Sequence, residues 1–246
     1  MGDERALQPL WNWLSAELGT AFFAFPLHFL PTIVAVIAVT GVFFSVLDCI
    51  VYKKVTAREA WLGGLRTVGA YTLAAVALYA LQARVQLWTV PPPAAAPSLG
   101  RVGAEVGVYM IVGELLTYGW HRVEHGSRFV FRYVHARHHS VRSPLTVWSN
   151  FVVHPVEGLM VMLCLYLPPL VMGAHPLVMT AYAIANTVAM VVTHSGYDFR
   201  LYPRWLLPAA SAHELHHTEL KPTNLSVVMT FGDKLFGTYK RPLRGL

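Results

Sequence analysis

Two long stretches of the chain carry no charged side chain. Residues 18–47 and 158–197 contain no Asp, Glu, Lys or Arg. A helix that crosses the hydrocarbon core of a bilayer needs about 20 apolar residues in a row, and both stretches are longer than that. The pattern therefore predicts a polytopic membrane protein rather than a soluble domain.

Apolar runs bounded by charges, proline and glycine predict an all-α membrane bundle. Its segments are expected at about 26–48, 67–89, 102–121, 155–171 and 177–194. The last two form a hairpin over 155–194 with short arms. A partly inserted pair is therefore also open, which makes the count four or five. Residues 90–100 are too rich in proline for a helix and form a loop. No internal repeat is visible, so residues 1–246 are expected to form one domain.

The distribution of charge predicts how the bundle is oriented. Only 13% of the residues are charged, whereas soluble domains carry about 25%. Lys and Arg cluster between the first two segments, after the third, and from residue 198 onward. All three clusters share one side if the N-terminus is outside, and the positive-inside rule makes that side cytoplasmic. The net charge of +6 thus indicates orientation, not a nucleic-acid partner. We expect a bacterial inner membrane or the endoplasmic reticulum.

Ten of the twelve histidines fall on this predicted cytoplasmic side. They occur as HRVEH, HARHH and HELHH and as two single residues; the ten are His121, His125, His135, His138, His139, His154, His194, His213, His216 and His217. Spacings of three and four place side chains on one face of a helix. A histidine-rich helical cap over 121–154 and 194–240 is therefore expected. His28 and His175 lie toward the other side and are not expected to be ligands.

Neutral imidazole is a common ligand for iron, copper and zinc. Two transition-metal ions need about eight donors between them, and ten histidines can supply that number. Two alternatives stay open. HELHH also fits the HExxH pattern, in which His213 and His217 would bind zinc and Glu214 would be the general base of a protease. A histidine-lined metal transporter is the second, although transport needs ligands near the middle of the membrane.

The motifs resemble those of the fatty acid hydroxylase superfamily, which includes sterol desaturases, methylsterol oxidases and cholesterol 25-hydroxylase. The likeness runs from about Glu114 to Tyr239. It consists of E-x-x-x-Y-x-x-H-R-x-x-H, HARHH, NFVVHPVE, THSGYDF, HELHH and GDKLFGTYK. Two positions depart from the family pattern. Leu225 and Ser226 follow Asn224 where the family has Tyr and Gly, and Gly232 stands where the family has Trp.

The resemblance implies a non-haem diiron oxidoreductase. Two iron ions, with O₂ as co-substrate, would oxidise an unactivated C–H bond of a sterol-like or fatty-acyl lipid that enters from the bilayer. Hydroxylation is the first expectation and desaturation at the same site the alternative. No haem, nucleotide or CxxC motif is visible, so an external electron donor is implied, a ferredoxin or cytochrome b5 with its reductase. Residues expected to support the ligands are Glu114, Tyr118, Glu157, Asp198 and Asn224.

Overall fold

The computed structural model describes residues 6–25, 27–52, 54–85, 90–199, 203 and 205–242. Within these ranges the protein is all-helical, as predicted. The helices are α1 (Gln8–Leu18), α2 (Thr20–Ala24), α3 (Leu30–Val46), α4 (Ala57–Val85), α5 (Leu99–Gly126), α6 (Arg128–Tyr133), α7 (Pro155–Val171), α8 (Pro176–His194), α9 (Ala210–Glu219) and α10 (Phe231–Leu235). A π-helical turn, Leu47–Val51, extends α3, and two 3₁₀ helices, His135–Ser140 and Val147–Phe151, lie between α6 and α7.

Three of these helices are long and apolar enough to cross a membrane: α3 with its π turn (Leu30–Val51), α4 and α8. Their outward faces are apolar, with Val39, Leu73 and Trp61 each about seven-tenths exposed, as expected for helices that contact lipid. The protein is thus an integral membrane protein. α7 is apolar but shorter, and α5 carries Glu105 and Glu114 along its length.

The second membrane helix begins earlier than predicted. α4 starts at Ala57 instead of residue 67, because Thr56 and Glu59 form reciprocal hydrogen bonds, Thr56 N to Glu59 Oε2 (2.8 Å) and Glu59 N to Thr56 Oγ1 (3.2 Å). This arrangement satisfies backbone donors that a helix start leaves without partners. The predicted end of the segment, residues 86–89, lies outside the described residues.

The bundle packs around α5, α7, α8 and α3. α5 contacts both α7 and α8, and α3 lies between α4 and α8. Phe29 stacks on Tyr166 with ring centroids 4.6 Å apart, and Ile37 and Met179 are almost fully buried beside them. Within a membrane, close van der Waals packing of such side chains holds helices together, because lipid tails are as apolar as the side chains themselves. This packing holds the ends of α5 and α8 close together, where the histidines lie.

The N-terminal helices α1 and α2 were not predicted, and they lie at the end of the bundle away from the histidine motifs. Trp11 Nε1 donates to the carbonyl of Pro93 at 2.9 Å, and the Trp11 ring contacts the His175 ring, centroids 4.8 Å apart. Thus α1, the 90–98 loop and the α7–α8 turn share one end, here called the opposite end. The other end, called the histidine end, carries the 54–56 loop, α9 and the 3₁₀ helices.

Candidate metal centre

Nine histidines gather at the histidine end into two groups. In each group, nitrogen atoms of the side chains lie within 4.8 Å of one another. Group one is His121, His125, His135, His139 and His216, and group two is His138, His194, His213 and His217. Each HxxHH triplet divides in the same way: its first and last histidines enter one group and its middle histidine enters the other. The two triplets therefore link the groups to each other.

Group one has three Nε2 atoms in close contact. His135 Nε2 lies 3.0 Å from His125 Nε2 and 2.9 Å from His139 Nε2, and the third side of this triangle is 3.1 Å. The His121 and His216 rings stand edge-on beside them, with centroids 4.8 Å apart. Helix α5, the first 3₁₀ helix and α9 each contribute to the group, so it forms only when the whole cap is folded.

Group two joins the end of α8 to α9 and to the first 3₁₀ helix. His194 Nε2 lies 2.9 Å from His213 Nε2 and 3.4 Å from His138 Nε2. The His138 and His217 rings are 4.6 Å apart. The groups are neighbours, because the His139 ring of group one lies 4.5 Å from the His217 ring of group two.

Most of the rings are held by their Nδ1 atoms. Five Nδ1 atoms lie within hydrogen-bonding distance of an oxygen atom. The pairs are His121 with Leu225 O (2.7 Å), His216 with Thr223 O (2.8 Å), His217 with Val141 O (2.9 Å), His194 with Met190 O (2.9 Å) and His135 with Glu157 Oε1 (3.0 Å). A carbonyl oxygen only accepts, so in the four rings that face one Nδ1 must carry the proton, and a neutral ring then has its lone pair on Nε2.

Burial keeps histidines of the two groups neutral. It lowers the pKa of His217 to about 4 and, with the neighbouring imidazoles, the pKa of His139 to about 2. The pKa values of His138, His213 and His216 are lowered well below 6.5, again chiefly by burial. At neutral pH these rings are therefore uncharged and available as ligands.

The arrangement fits bound cations. Buried Nε2 atoms of His121, His216 and His217 have no hydrogen-bond partner among the described residues, although buried polar atoms nearly always have one. Lone pairs that converge within a few ångström repel one another unless a cation lies between them. Five and four imidazole nitrogens suit two transition-metal ions, since imidazole binds iron, copper and zinc.

Two carboxylates support one ligand of group one. His135 Nδ1 lies 3.0 Å from Glu157 Oε1 and 3.5 Å from Glu124 Oε2, and all three side chains are buried. A carboxylate on the outer nitrogen of a histidine ligand fixes its ring and increases its basicity. Glu157 was predicted to support the ligands, whereas Glu124 was missed. Its position three residues after His121, on the same helix face, was the available signal.

Glu114 supports the centre indirectly. Its Oε2 accepts hydrogen bonds from the backbone N–H groups of Val228 (3.1 Å) and Met229 (2.9 Å), which follow α9 in the chain. The segment that it holds includes Leu225, whose carbonyl accepts from His121. Glu114 was predicted to support the ligands, and the contact it makes is with the loop whose Leu225 carbonyl faces His121.

The other predicted supporting residues hold the cap together. The Tyr118 hydroxyl contacts Thr238 Oγ1 at 2.9 Å, and its ring lies so close to Gly232 that a Cβ there would come within 2.6 Å. The Trp that the family pattern has at this position would not fit. Asp198 accepts from the N–H and hydroxyl of Ser211 at the start of α9. Asn224, at φ 56°, donates to Ala212 O in α9.

Two predicted site residues lie outside both groups. His154 is in neither group; it begins α7, and its Nδ1 accepts from the N–H of Val156 at 3.2 Å. Glu214 accepts from the Ser143 hydroxyl at 2.6 Å and from the N–H of Leu145 at 3.3 Å. It therefore anchors the 143–145 segment and is engaged away from the position that a general base would need.

An apolar cavity lies directly beneath the histidines. Its volume is about 100 Å³, and it is lined by residues of α3, α4, α5, α7 and α8, with His121, His135, His138 and His194 at its upper end. Ile37, Leu165 and Met162 form part of its wall, and Asn186 is one of its polar lining residues. A small apolar substrate group could therefore come close to both histidine groups.

Comparisons with known proteins agree with this geometry. A family model described as fatty acid hydroxylase matches residues 106–238, more than half of the chain. Cholesterol 25-hydroxylase-like protein 2 of Danio rerio is 27% identical, covering 98% of this chain and 92% of the relative. Methylsterol monooxygenase 2-2 of Arabidopsis thaliana is 30% identical over 58% of this chain and 55% of its own length. A very-long-chain aldehyde decarbonylase of Oryza sativa subsp. japonica is 28% identical over 58% of this chain and 49% of its own length. No solved structure matches the chain.

Proposed function

Because the chain belongs to the fatty acid hydroxylase family, we propose that it is a diiron hydroxylase that inserts oxygen into an unactivated C–H bond of a membrane lipid. Family membership and the relatives make it a lipid-oxidising oxidoreductase. The metal, the reaction outcome and the substrate are the further steps of the proposal.

The observation that carries the proposal is the pair of adjacent imidazole groups above an apolar cavity. Two iron ions, one in each group, would supply the oxidising power that acid–base side chains lack. In the overall reaction, R–H, O₂, two electrons and two protons give R–OH and H₂O. The protein's part is to hold nine neutral nitrogens in place and to keep water away from the reacting carbon.

The cavity supports a lipid substrate. Its wall is mostly apolar and lies below the level of the histidines, so a substrate could enter sideways from the bilayer. Asn186 is almost fully buried in it and donates to the Tyr166 hydroxyl at 3.2 Å. This amide is suited to pair with one polar group of a sterol-like or fatty-acyl substrate, such as a hydroxyl.

We further propose that the histidine end faces the cytoplasm and receives electrons there. Basic side chains surround it, and five are exposed between residues 122 and 142: Arg122, Arg128, Arg132, Arg137 and Arg142. Such a surface attracts an acidic partner by long-range electrostatics. A ferredoxin or cytochrome b5 with its reductase would fit, and both the docking rate and the turnover should then fall as salt is raised.

The protease alternative has less support. In a zinc protease the Glu of HExxH activates a metal-bound water, whereas Glu214 is engaged by Ser143 and Leu145. A protease also needs only three protein ligands and would leave most of the nine histidines without a role.

The proposal is tested with purified protein in lipid nanodiscs, a reductase system, a panel of sterols and fatty-acyl lipids, and isotopically labelled O₂. We expect two iron ions per chain and a product that carries one labelled oxygen atom. A product lighter by two hydrogens and without label would assign desaturation instead. One zinc ion per chain with no oxidised lipid would overturn the proposal.

A further inference from the structure

A second, larger apolar space lies between α3 and α4. This groove has a volume of about 670 Å³, and its lining is almost entirely apolar. Its walls include Ala38 and Val42 of α3, Cys49 of the π turn, and Ala60 and Gly69 of α4. Both helices are candidate membrane spans, and the groove follows the half of each that is nearer the histidine end. It therefore opens toward lipid, close to the same membrane face as the metal centre.

Trp148 forms the inner wall of this groove. Its indole N–H donates to Ser45 Oγ of α3 at 3.0 Å. A Cβ added at Gly41, Gly63 or Gly64 would come within 3.0 Å of the indole, so these glycines allow the ring to lie between the two helices. The ring therefore fills the space between α3 and α4 at this level and forms the floor of the groove.

The groove adjoins the cavity beneath the histidines. Trp148 lines the groove, whereas Phe151, one turn later in the same 3₁₀ helix, lines the cavity. On α4 the order is the same, with Val68 in the groove and Tyr71 in the cavity. The Tyr71 and Phe151 rings touch edge-on, with centroids 5.5 Å apart. The two spaces are thus separated by the thickness of aromatic side chains.

The volumes of the cavity and the groove indicate which part of a lipid substrate each of them can hold. Sites for drug-sized ligands measure about 300–1,000 Å³. The cavity, at about 100 Å³, is too small to hold a whole lipid, whereas the groove, at about 670 Å³, has the required size. A lipid whose reacting carbon lies under the histidines must therefore place most of its aliphatic part elsewhere, and the groove is the adjoining apolar space.

We propose that the α3–α4 groove binds the aliphatic part of the lipid substrate and that Trp148 is the partition that such a lipid must pass to reach the metal centre. This inference rests on the proposed function for its occupant, but its first test measures binding and needs no turnover.

The first test uses Cys49, because the chain has only one other cysteine, Cys164. In the Cys164→Ser protein with its metal bound, the rate at which an N-alkylmaleimide labels Cys49 is followed by mass spectrometry. Stearic acid and cholesterol are added to the detergent in separate arms. We expect one of them to slow labelling several-fold. If neither alters the rate, and labelling instead slows as protein concentration is raised, a second copy covers the groove and the proposal fails.

The second test fills the groove. Gly69 lines it and has no heavy atom within 4 Å of an added Cβ, and Gly107 of α5 has equally open surroundings but lies outside the groove. Gly69→Leu should raise KM for the lipid about tenfold, the effect of excluding roughly two buried methylene groups, and should abolish protection of Cys49. Gly107→Leu is the matched control. Equal behaviour of the two variants would overturn the proposal.

Trp148 is tested separately from the groove. Trp148→Ala should join the two spaces and shift the preferred chain length or oxidised position, whereas Trp148→Phe should keep the partition and the product pattern. Metal content serves as the measure of folding for both variants.

Lipid protection of Cys49 without any oxidised product would support lipid binding in the groove and reject the proposed hydroxylase function. Oxidised product with no protection, and with one product pattern for all variants, would reject the groove alone.

Discussion

Histidines lie at both ends of the bundle, but their ring nitrogens are used differently at each end. In the metal centre an Nδ1 atom lies on a carbonyl or carboxylate and Nε2 points toward other imidazoles, as in His121 and His194. At the opposite end both His28 nitrogens contact backbone carbonyls, Phe25 O and Pro176 O. The same residue type thus joins a group that could hold a metal ion in one place and makes only backbone contacts in the other.

His154 belongs spatially to the histidine end but behaves like His175 at the opposite end. Each is followed by proline and begins a helix, His154 before α7 and His175 before α8. Each accepts, through Nδ1, the N–H of the residue after that proline, at 3.2 Å and 3.1 Å. A histidine directly before a helix-starting proline therefore has the environment of an N-cap, and a nearby metal site does not change this.

The largest contrast is expected between a ligand and a capping histidine. His138→Ala removes one of the four donors of group two. We expect that group to lose its metal and lipid oxidation to fall by more than about 100-fold, beyond the loss typical of a supporting residue. His175→Ala should retain both metals and most activity. Metal analysis of the two purified variants, with turnover of the same lipid, measures the contrast. Equal metal loss in both would contradict the separation of the two ends.

A smaller effect on turnover is expected when the carboxyl group next to His135 Nδ1, that of Glu157, is changed. Glu157→Gln keeps a hydrogen-bonding oxygen near His135 Nδ1 but removes the charge. We expect most of the metal to be retained and turnover to fall about 10–100-fold. Comparison of kcat with metal content separates this result from ligand loss. If metal content falls as far as in His138→Ala, Glu157 is itself a ligand.

Sequence spacing predicted which histidines would gather, for a physical reason. Spacings of three and four bring side chains onto one face whichever way the helix later packs, so the three histidine motifs could be assigned before the fold was known. All nine histidines of the two groups had been predicted. The division of HARHH and HELHH between the groups depends on how α9 packs beside the 3₁₀ helix, and no local pattern contains that information.

Other features were missed although local signals existed. The earlier start of α4 was signalled by Thr56 and Glu59 at capping-box spacing, but the apolar run began later and determined the predicted bound. The Pro after His154 signalled an N-cap. By contrast, Trp11 contacts His175, and the Trp148 ring packs against three glycines, although these residues are far apart in sequence. These contacts require the folded bundle.

Loss of the loop anchor should have a still smaller effect on catalysis. Glu114→Gln weakens two charge-assisted hydrogen bonds to the backbone of Val228 and Met229. We expect the free energy of unfolding to fall by about 1–3 kcal/mol, with partial loss of metal from group one because His121 depends on the same loop. Thermal unfolding in detergent measures the first effect. Glu105→Gln, which removes an ion pair with Arg101 on the same helix, is the control and should cost less than about 1 kcal/mol.

The smallest effect, and the closest test of the comparison, concerns His154. If it is an N-cap, His154→Ala should lower the free energy of unfolding by about 1 kcal/mol and leave both metals in place. His154→Asn should recover most of that stability, because Asn also accepts from a backbone N–H at a helix start. A ligand would behave otherwise, since neither Ala nor Asn replaces an imidazole, and both variants would lose metal alike. Unfolding curves and metal content, measured on the same preparations of His154→Ala, His154→Asn and His175→Ala, separate the two roles. Metal loss in both His154 variants but not in His175→Ala would show that a histidine before a proline can still be a ligand. The proposed equivalence of His154 and His175 as N-cap residues would then be wrong.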